Sequence, residues 1–171
     1  MIITKIFECD NRIIQKQFTR CISTIARLDY PEKWPTLLSN DILSYLNSQN
    51  EKGIYTGLLA LHALVQKYEF CLEEEREPLL LVIDQSFGVL GGLINHLMAH
   101  TESDVALQIL HMICKVFFSS NQLQVAPFLT EGENIAPWIG FFNQLLNLPI
   151  SASLYTLVED MDEISQRDKS I

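Results

Sequence analysis

From Asn11 to Leu28, apolar residues recur at Ile14, Phe18, Cys21, Ile22, Ile25 and Leu28. Steps of three and four place them on one stripe and predict a first helix. Its other side carries Arg12, Lys16 and Arg20 at intervals of four, which reads as a solvated face, with partner contact the lesser alternative. Trp34, Leu37, Leu38, Ile42, Tyr45 and Leu46 predict a shorter second helix ending in "NSQN". Ile54, Leu58, Leu61, Val65 and Tyr68 are in register for a third over about 51–68. "EEERE" then precedes Pro78, a combination suited to a helix's first turns, where free N–H groups and the dipole favour carboxylates and proline is tolerated. The fourth helix follows through Leu79, Leu80, Ile83, Phe87, Leu90, Ile94, Leu97 and Met98. Gly88, Gly91 and Gly92 lie inside it and predict a kink or a close helix crossing. Val105, Ile109, Met112, Ile113, Val116 and Phe117 predict a fifth over about 102–118. Trp138, Ile139, Phe142, Leu145 and Leu146 predict a sixth over about 136–147, stopped by Pro149.

No stretch alternates with a period of two for long enough to make a strand, so the fold class is all-α. The first, third and fifth helices begin near 11, 51 and 102, close to the roughly 40–47-residue period of stacked helical hairpins. The reading is a HEAT-repeat α-solenoid of about three antiparallel hairpins, about 11–47, 51–99 and 102–147, within a segment 1–149. Residues 150–171 read as an acidic, loosely ordered tail. Between the first two helices, Pro31, Trp34 and Pro35 form a structural hinge. Pro31 biases Tyr30 out of helix, Pro35 suits the next helix's first turn, and Trp34 buries its ring as an anchor whose N–H needs a partner.

Composition narrows the function. Hydrophobic residues make up 48% of the 171 residues and charged ones 19%, enough apolar material for a core. The formal net charge is −9 and the pI about 4.8, which argues against direct nucleic-acid binding and favours a basic partner. Acidity is concentrated after the opening stretch, since Met1 to Tyr30 holds five basic and three acidic residues. Cys9, Cys21, Cys71 and Cys114 are widely spaced and read as reduced thiols. The longest apolar run, "PLLLVI", is far shorter than a membrane helix needs, so a soluble chain with no membrane partner is expected.

Candidates for chemistry are few. His96 and His100 are four apart, as in helical zinc sites, but the glutamate of that motif and a third ligand are missing. His111 and Cys114 are three apart, with Cys114 in an apolar stripe where it serves as a small hydrophobe. "GVLGGLI" is not a phosphate-binding glycine pattern, and no nucleophile elbow occurs. The chain therefore reads as no enzyme, with no catalytic residue, metal or cofactor, and as a surface for other macromolecules.

"LDYPEKWPTLL" resembles the Asp-x-Pro-x-x-Trp-Pro-x-Leu signature of N-terminal HEAT repeats in the importin-beta superfamily. "GLLALHALVQKYEF", "EEEREPLL", "ICKVFFSS" and "TLVEDMDE", in that order, are similar to its importin seven and importin eight branch. The resemblance covers about Ile13 to Glu163 and a small N-terminal part of a family member. It implies a nuclear transport receptor shuttling between cytoplasm and nucleus. Its implied partners are the GTPase Ran, basic cargo such as ribosomal proteins or histones, and phenylalanine-glycine nucleoporins. The family's first repeats, which contribute much of the Ran contact, are lacking, so a fragment, short isoform or truncated product that binds Ran weakly is expected. Such a piece would expose apolar surface on its end helices and self-associate. The family layout makes the first, third and fifth helices outer and the others concave. That sets Asp41, Asp84 and Gln85 where a partner could touch them, with Glu159, Asp160, Asp162 and Glu163 of the tail beside it; solvated faces are the alternative. The other functional reading is a HEAT-type scaffold or adaptor without transport activity.

Overall fold

In a computed structural model, residues 2–131 and 134–148 are described, and the tail expected over 150–171 lies outside them. The chain divides into two units, Met1–Pro137 and Trp138–Ile171. Among the described residues every regular element is helical: α1 (Ile2–Glu8), α2 (Arg12–Asp29), α3 (Leu43–Leu46), α4 (Glu51–Val65), α5 (Glu77–Leu97), α6 (Asp104–Ser120), α7 (Pro127–Thr130) and α8 (Ile135–Leu146). A π-helical segment, Leu37–Ile42, leads into α3, and a 3-10 turn, Glu73–Glu75, precedes α5. The fold is the expected all-α HEAT-repeat solenoid.

The helix starts follow from side-chain chemistry. The Asn11 side chain accepts from the N–H groups of Ile13 (2.9 Å) and Ile14 (3.3 Å), capping α2. Asn50 accepts from Lys52 N–H (2.9 Å) at the head of α4, and Ser103 accepts from Ala106 N–H (3.4 Å) at α6. Pro78 occupies the opening turn of α5, beside Glu77. The buried Arg76 guanidinium donates to the Ser120 carbonyl (2.9 Å), tying the start of α5 to the end of α6.

In the first unit α4 is the central element. α2 and α6 flank it to make a three-helix layer, α1 packs on α2 and α4, α3 on α4, and α5 on α6. Successive helices thus pair as α1/α2, α3/α4 and α5/α6, whereas the expected hairpins 11–47 and 51–99 would pair α2 with α3 and α4 with α5. The connections explain the phase. Residues 9–11, 47–50 and 98–103 are tight links within pairs, while 30–36 and 66–76 carry the chain from one pair to the next.

Three local expectations change. Pro35 lies ahead of the second helical segment rather than in its first turn, and that segment begins at Leu37 in π form. The buried side of α2 is Gln15, Ile22 and Ala26, with Gln15 donating to the carbonyls of Ile6 (3.2 Å) and Cys9 (2.7 Å). Cys21 and Ile14 are exposed and Leu28 is 73% exposed, because α1 and α4 cover only one flank of this end helix. Third, α5 is one continuous helix, and a Cβ built on Gly88, Gly91 or Gly92 would meet nothing within 4 Å. The close crossing lies at α4, where a Cβ on Gly57 would sit 3.0 Å from the Leu46 backbone nitrogen. With its 21 residues, α5 has the length and apolarity to cross a bilayer, yet Leu79, Val82, Ile83, Phe87 and Leu90 on it are buried within the fold.

Where α4 unwinds, Lys67 donates through its ammonium to the Tyr30 carbonyl and lies 5.0 Å from the Tyr68 ring centre. The Tyr68 hydroxyl is buried without a hydrogen-bond partner among the described residues, and burial pushes its pKa up. In the second unit the rings of Phe141 and Phe142 lie 5.2 Å apart, and Trp138 meets Phe141 edge-on at 6.3 Å.

Candidate partner-binding surfaces

The acidic positions singled out in the sequence do not form one site among the described residues. Asp41 accepts from the Trp34 indole N–H at 3.0 Å, so its carboxylate is engaged at the junction between α2 and α3. Trp34 is half-buried rather than enclosed, Pro31 is half-buried, and Pro35 is exposed. The Tyr30–Pro31 peptide is cis, and Tyr30 is extended at ψ 137° as the residue before a proline. Asp84 and Gln85 are exposed on α5. Asp84 borders a groove of about 420 Å³ with Leu80, Pro127, Phe128, Glu131 and Asn134. Glu159, Asp160, Asp162 and Glu163 lie outside the described residues.

A second surface lies along the α2–α4–α6 layer. Arg12 donates to the Gln108 side-chain oxygen at 2.8 Å, joining α2 to α6 across the flank of α4. Beside them a groove of about 640 Å³ is lined by Arg12, Tyr55, Val105 and Gln108, among others. Further along, His62 of α4 stands 3.4 Å from the Ser119 hydroxyl of α6. Burial, then Lys115, then His111 push the His62 pKa down to about 4. His111 is lowered by partial burial and by Lys115, and the half-buried Lys115 by burial and by Lys16. Cationic and imidazole groups from three helices thus share one face.

Of this face, Arg12, Lys16 and Arg20 stood out in the sequence as a row, and His111 only as a neighbour of Cys114. Tyr55, Leu59 and His62 on α4, and Gln108, His111 and Lys115 on α6, follow the same spacing of three and four. That spacing was a readable signal, but single cations on separate helices become a surface only once the layer is assembled.

The histidine pair lies exposed at a helix end, and the cysteine candidate points to packing. α5 ends at Leu97, so His100 lies in the following turn, its Nδ1 3.0 Å from the His96 carbonyl oxygen. The half-buried Cys114 thiol is pushed up to about 11 by burial. Among the described residues no group of three His, Cys, Asp or Glu side chains is arranged to hold a metal ion.

Comparison with known proteins finds relatives over about four fifths of the chain. An Arabidopsis thaliana importin beta-like SAD2 homolog is 32% identical over 142 residues, 81% of this chain and 13% of the relative. The chain belongs to the importin-beta superfamily. Mouse importin-8 is 27% identical over 86% of this superfamily member and 14% of its own length. Exportin-2 of Xenopus laevis is 32% identical over 79% of the chain and 15% of the relative. The chain therefore spans about an eighth to a seventh of these relatives, which include both importins and an exportin. No family model matches it, and no solved structure matches it.

Proposed function

We propose that this chain forms part of an importin-beta-type nuclear transport receptor that binds Ran, basic cargo such as ribosomal proteins or histones, and phenylalanine-glycine nucleoporins for import into the nucleus. The observation that carries the reading is the likeness to importins and an exportin over about four fifths of the chain. The net charge of −9 supports a basic cargo by complementarity. Asp84 and Gln85 on α5, with the tail carboxylates Glu159, Asp160, Asp162 and Glu163, are the residues proposed to meet it. Pro31, Trp34 and Pro35 shape the turn between α2 and α3, and Asp41 serves that junction before any partner.

The test is capture by the immobilised chain of purified phenylalanine-glycine nucleoporin repeats and of a basic ribosomal protein. The proposal expects both to be retained, with the cargo lost as salt rises. Retention of neither, alongside recovery of one fixed protein complex, would favour a scaffold without transport activity.

A further inference from the structure

The groove between α5 and α7 carries charge of one sign on apolar walls. Leu80, Asp84 and Phe87 follow at steps of four and three on α5 and so share one side of it. Opposite them, Phe128 of α7 sets its ring edge-on to Phe87 at 6.2 Å. The chain around α7 is tied on both sides. Ala126 N–H donates to the Asn121 side-chain oxygen at 3.0 Å, and the Asn134 side chain donates to the Phe128 carbonyl at 2.9 Å. The groove of about 420 Å³ thus joins apolar Leu80, Pro127 and Phe128 to the carboxylates of Asp84 and Glu131. Both carboxylates are exposed, and neither has a hydrogen bond or ion pair among the described residues. No lysine, arginine or histidine among those residues lines the groove. Arg76 lines the adjoining cavity of about 90 Å³, where it is buried with its guanidinium on the Ser120 carbonyl at 2.9 Å.

We propose that this groove binds an arginine side chain of a basic partner segment. The proposal rests on the reading of a basic cargo and names the unit that the groove recognises. A guanidinium is planar, stacks on an aromatic face and donates in several directions, so one head group meets Phe128, Asp84 and Glu131 together. Its aliphatic stem lies along Leu80 and Pro127, as long cationic side chains cover apolar surface. A lysine brings a compact ammonium that satisfies the carboxylates but stacks less well. Neither carboxylate has to leave a partner among the described residues to make the contact. A neutral phenylalanine-bearing segment fills the same space but strips water from two carboxylates without pairing them. The net charge of −9 draws a cationic segment and repels an acidic one.

The test is an anisotropy titration of a labelled basic peptide with a central arginine against the 171-residue chain. Beside it run the same peptide with lysine or citrulline at that position and a phenylalanine-glycine peptide. The arginine peptide should bind tightest, the lysine peptide roughly 2- to 5-fold more weakly, and the uncharged citrulline peptide more weakly still. Asp84→Asn and Glu131→Gln should each weaken arginine binding roughly 2- to 5-fold. Asp84→Glu should keep it, which separates loss of charge from loss of fold. Phe128→Leu should remove the advantage of arginine over lysine. Glu102→Gln, exposed in the link between α5 and α6, should change nothing. Equal binding of the citrulline peptide, equal loss with Glu102→Gln, or tighter binding of the phenylalanine-glycine peptide would overturn the proposal. A basic ribosomal protein retained equally by the parent and by a chain with both Asp84→Asn and Glu131→Gln would also overturn it, and would leave the transport reading standing. Arginine binding through these two carboxylates without retention of the ribosomal protein would uphold the groove and remove the cargo reading.

Discussion

α4 and α5 are both apolar, glycine-bearing helices, and they do opposite things. α4 is enclosed by α2, α3, α6 and α1, with ten of its residues buried, including Thr56 and both glycines. Gly57 is there because Leu46 of α3 approaches too closely for a side chain. α5 buries one side against α6 and α7, and Leu81 on it is 52% exposed. Its three glycines face open space. The same residue type marks a tight crossing in one helix and only weakens the other, so a glycine acquires structural meaning from what lies opposite it.

A matched pair of leucine truncations should separate the two helices most. Leu61→Ala in α4, where the side chain is fully buried, should cost about 2–5 kcal/mol in urea unfolding, and Leu81→Ala in α5 less than about 1 kcal/mol. Equal losses would mean that α5 is as enclosed as α4. The next effect is on pH dependence. His62 of α4 stays neutral down to about pH 4 in the folded chain, whereas an exposed histidine takes up its proton near pH 6.5. Between those values the unfolded chain binds the extra proton, so the His62 contribution is intact above about pH 6.5 and is lost as pH falls toward 4, by about 3 kcal/mol. Unfolding midpoints measured across that range should flatten in His62→Gln. Smaller still is the glycine pair: Gly57→Ala should destabilise by about 1–2 kcal/mol, while Gly92→Ala should stabilise by up to about 1 kcal/mol. Thermal melts of the two should move in opposite directions. Last, beyond the end of α4, Tyr68→Phe removes a buried hydroxyl that has no partner among the described residues and should be neutral or stabilising by less than about 1 kcal/mol.

Much of the fold was legible because amphipathic spacing is a local property. The segments that became α2, α4, α5, α6 and α8 all announced themselves by apolar residues three and four apart. The short α1 and α7 did not, since one or two turns hold too few positions for a period to show. The π form of Leu37–Ile42 was invisible because five- and four-residue steps present nearly the same leucines and isoleucine. On α2, Ile14, Cys21 and Leu28 formed the better apolar stripe, yet the end helix buries Gln15, whose amide satisfies two carbonyls of the α1 turn. Which of two apolar flanks is covered depends on the neighbour. The same holds for the surfaces. "LDYPEKWPTLL" identified the superfamily, but that Asp41 serves Trp34 within it required the 3.0 Å geometry. Lys115 and His62 joined Lys16 only through tertiary packing.

The proposed role as a transport-receptor segment is tested most directly by titrating the chain with Ran loaded with GTP and with GDP. Weak binding that clearly prefers the GTP form is the predicted result. Identical affinity for the two nucleotide states, at concentrations where either is bound, would contradict it.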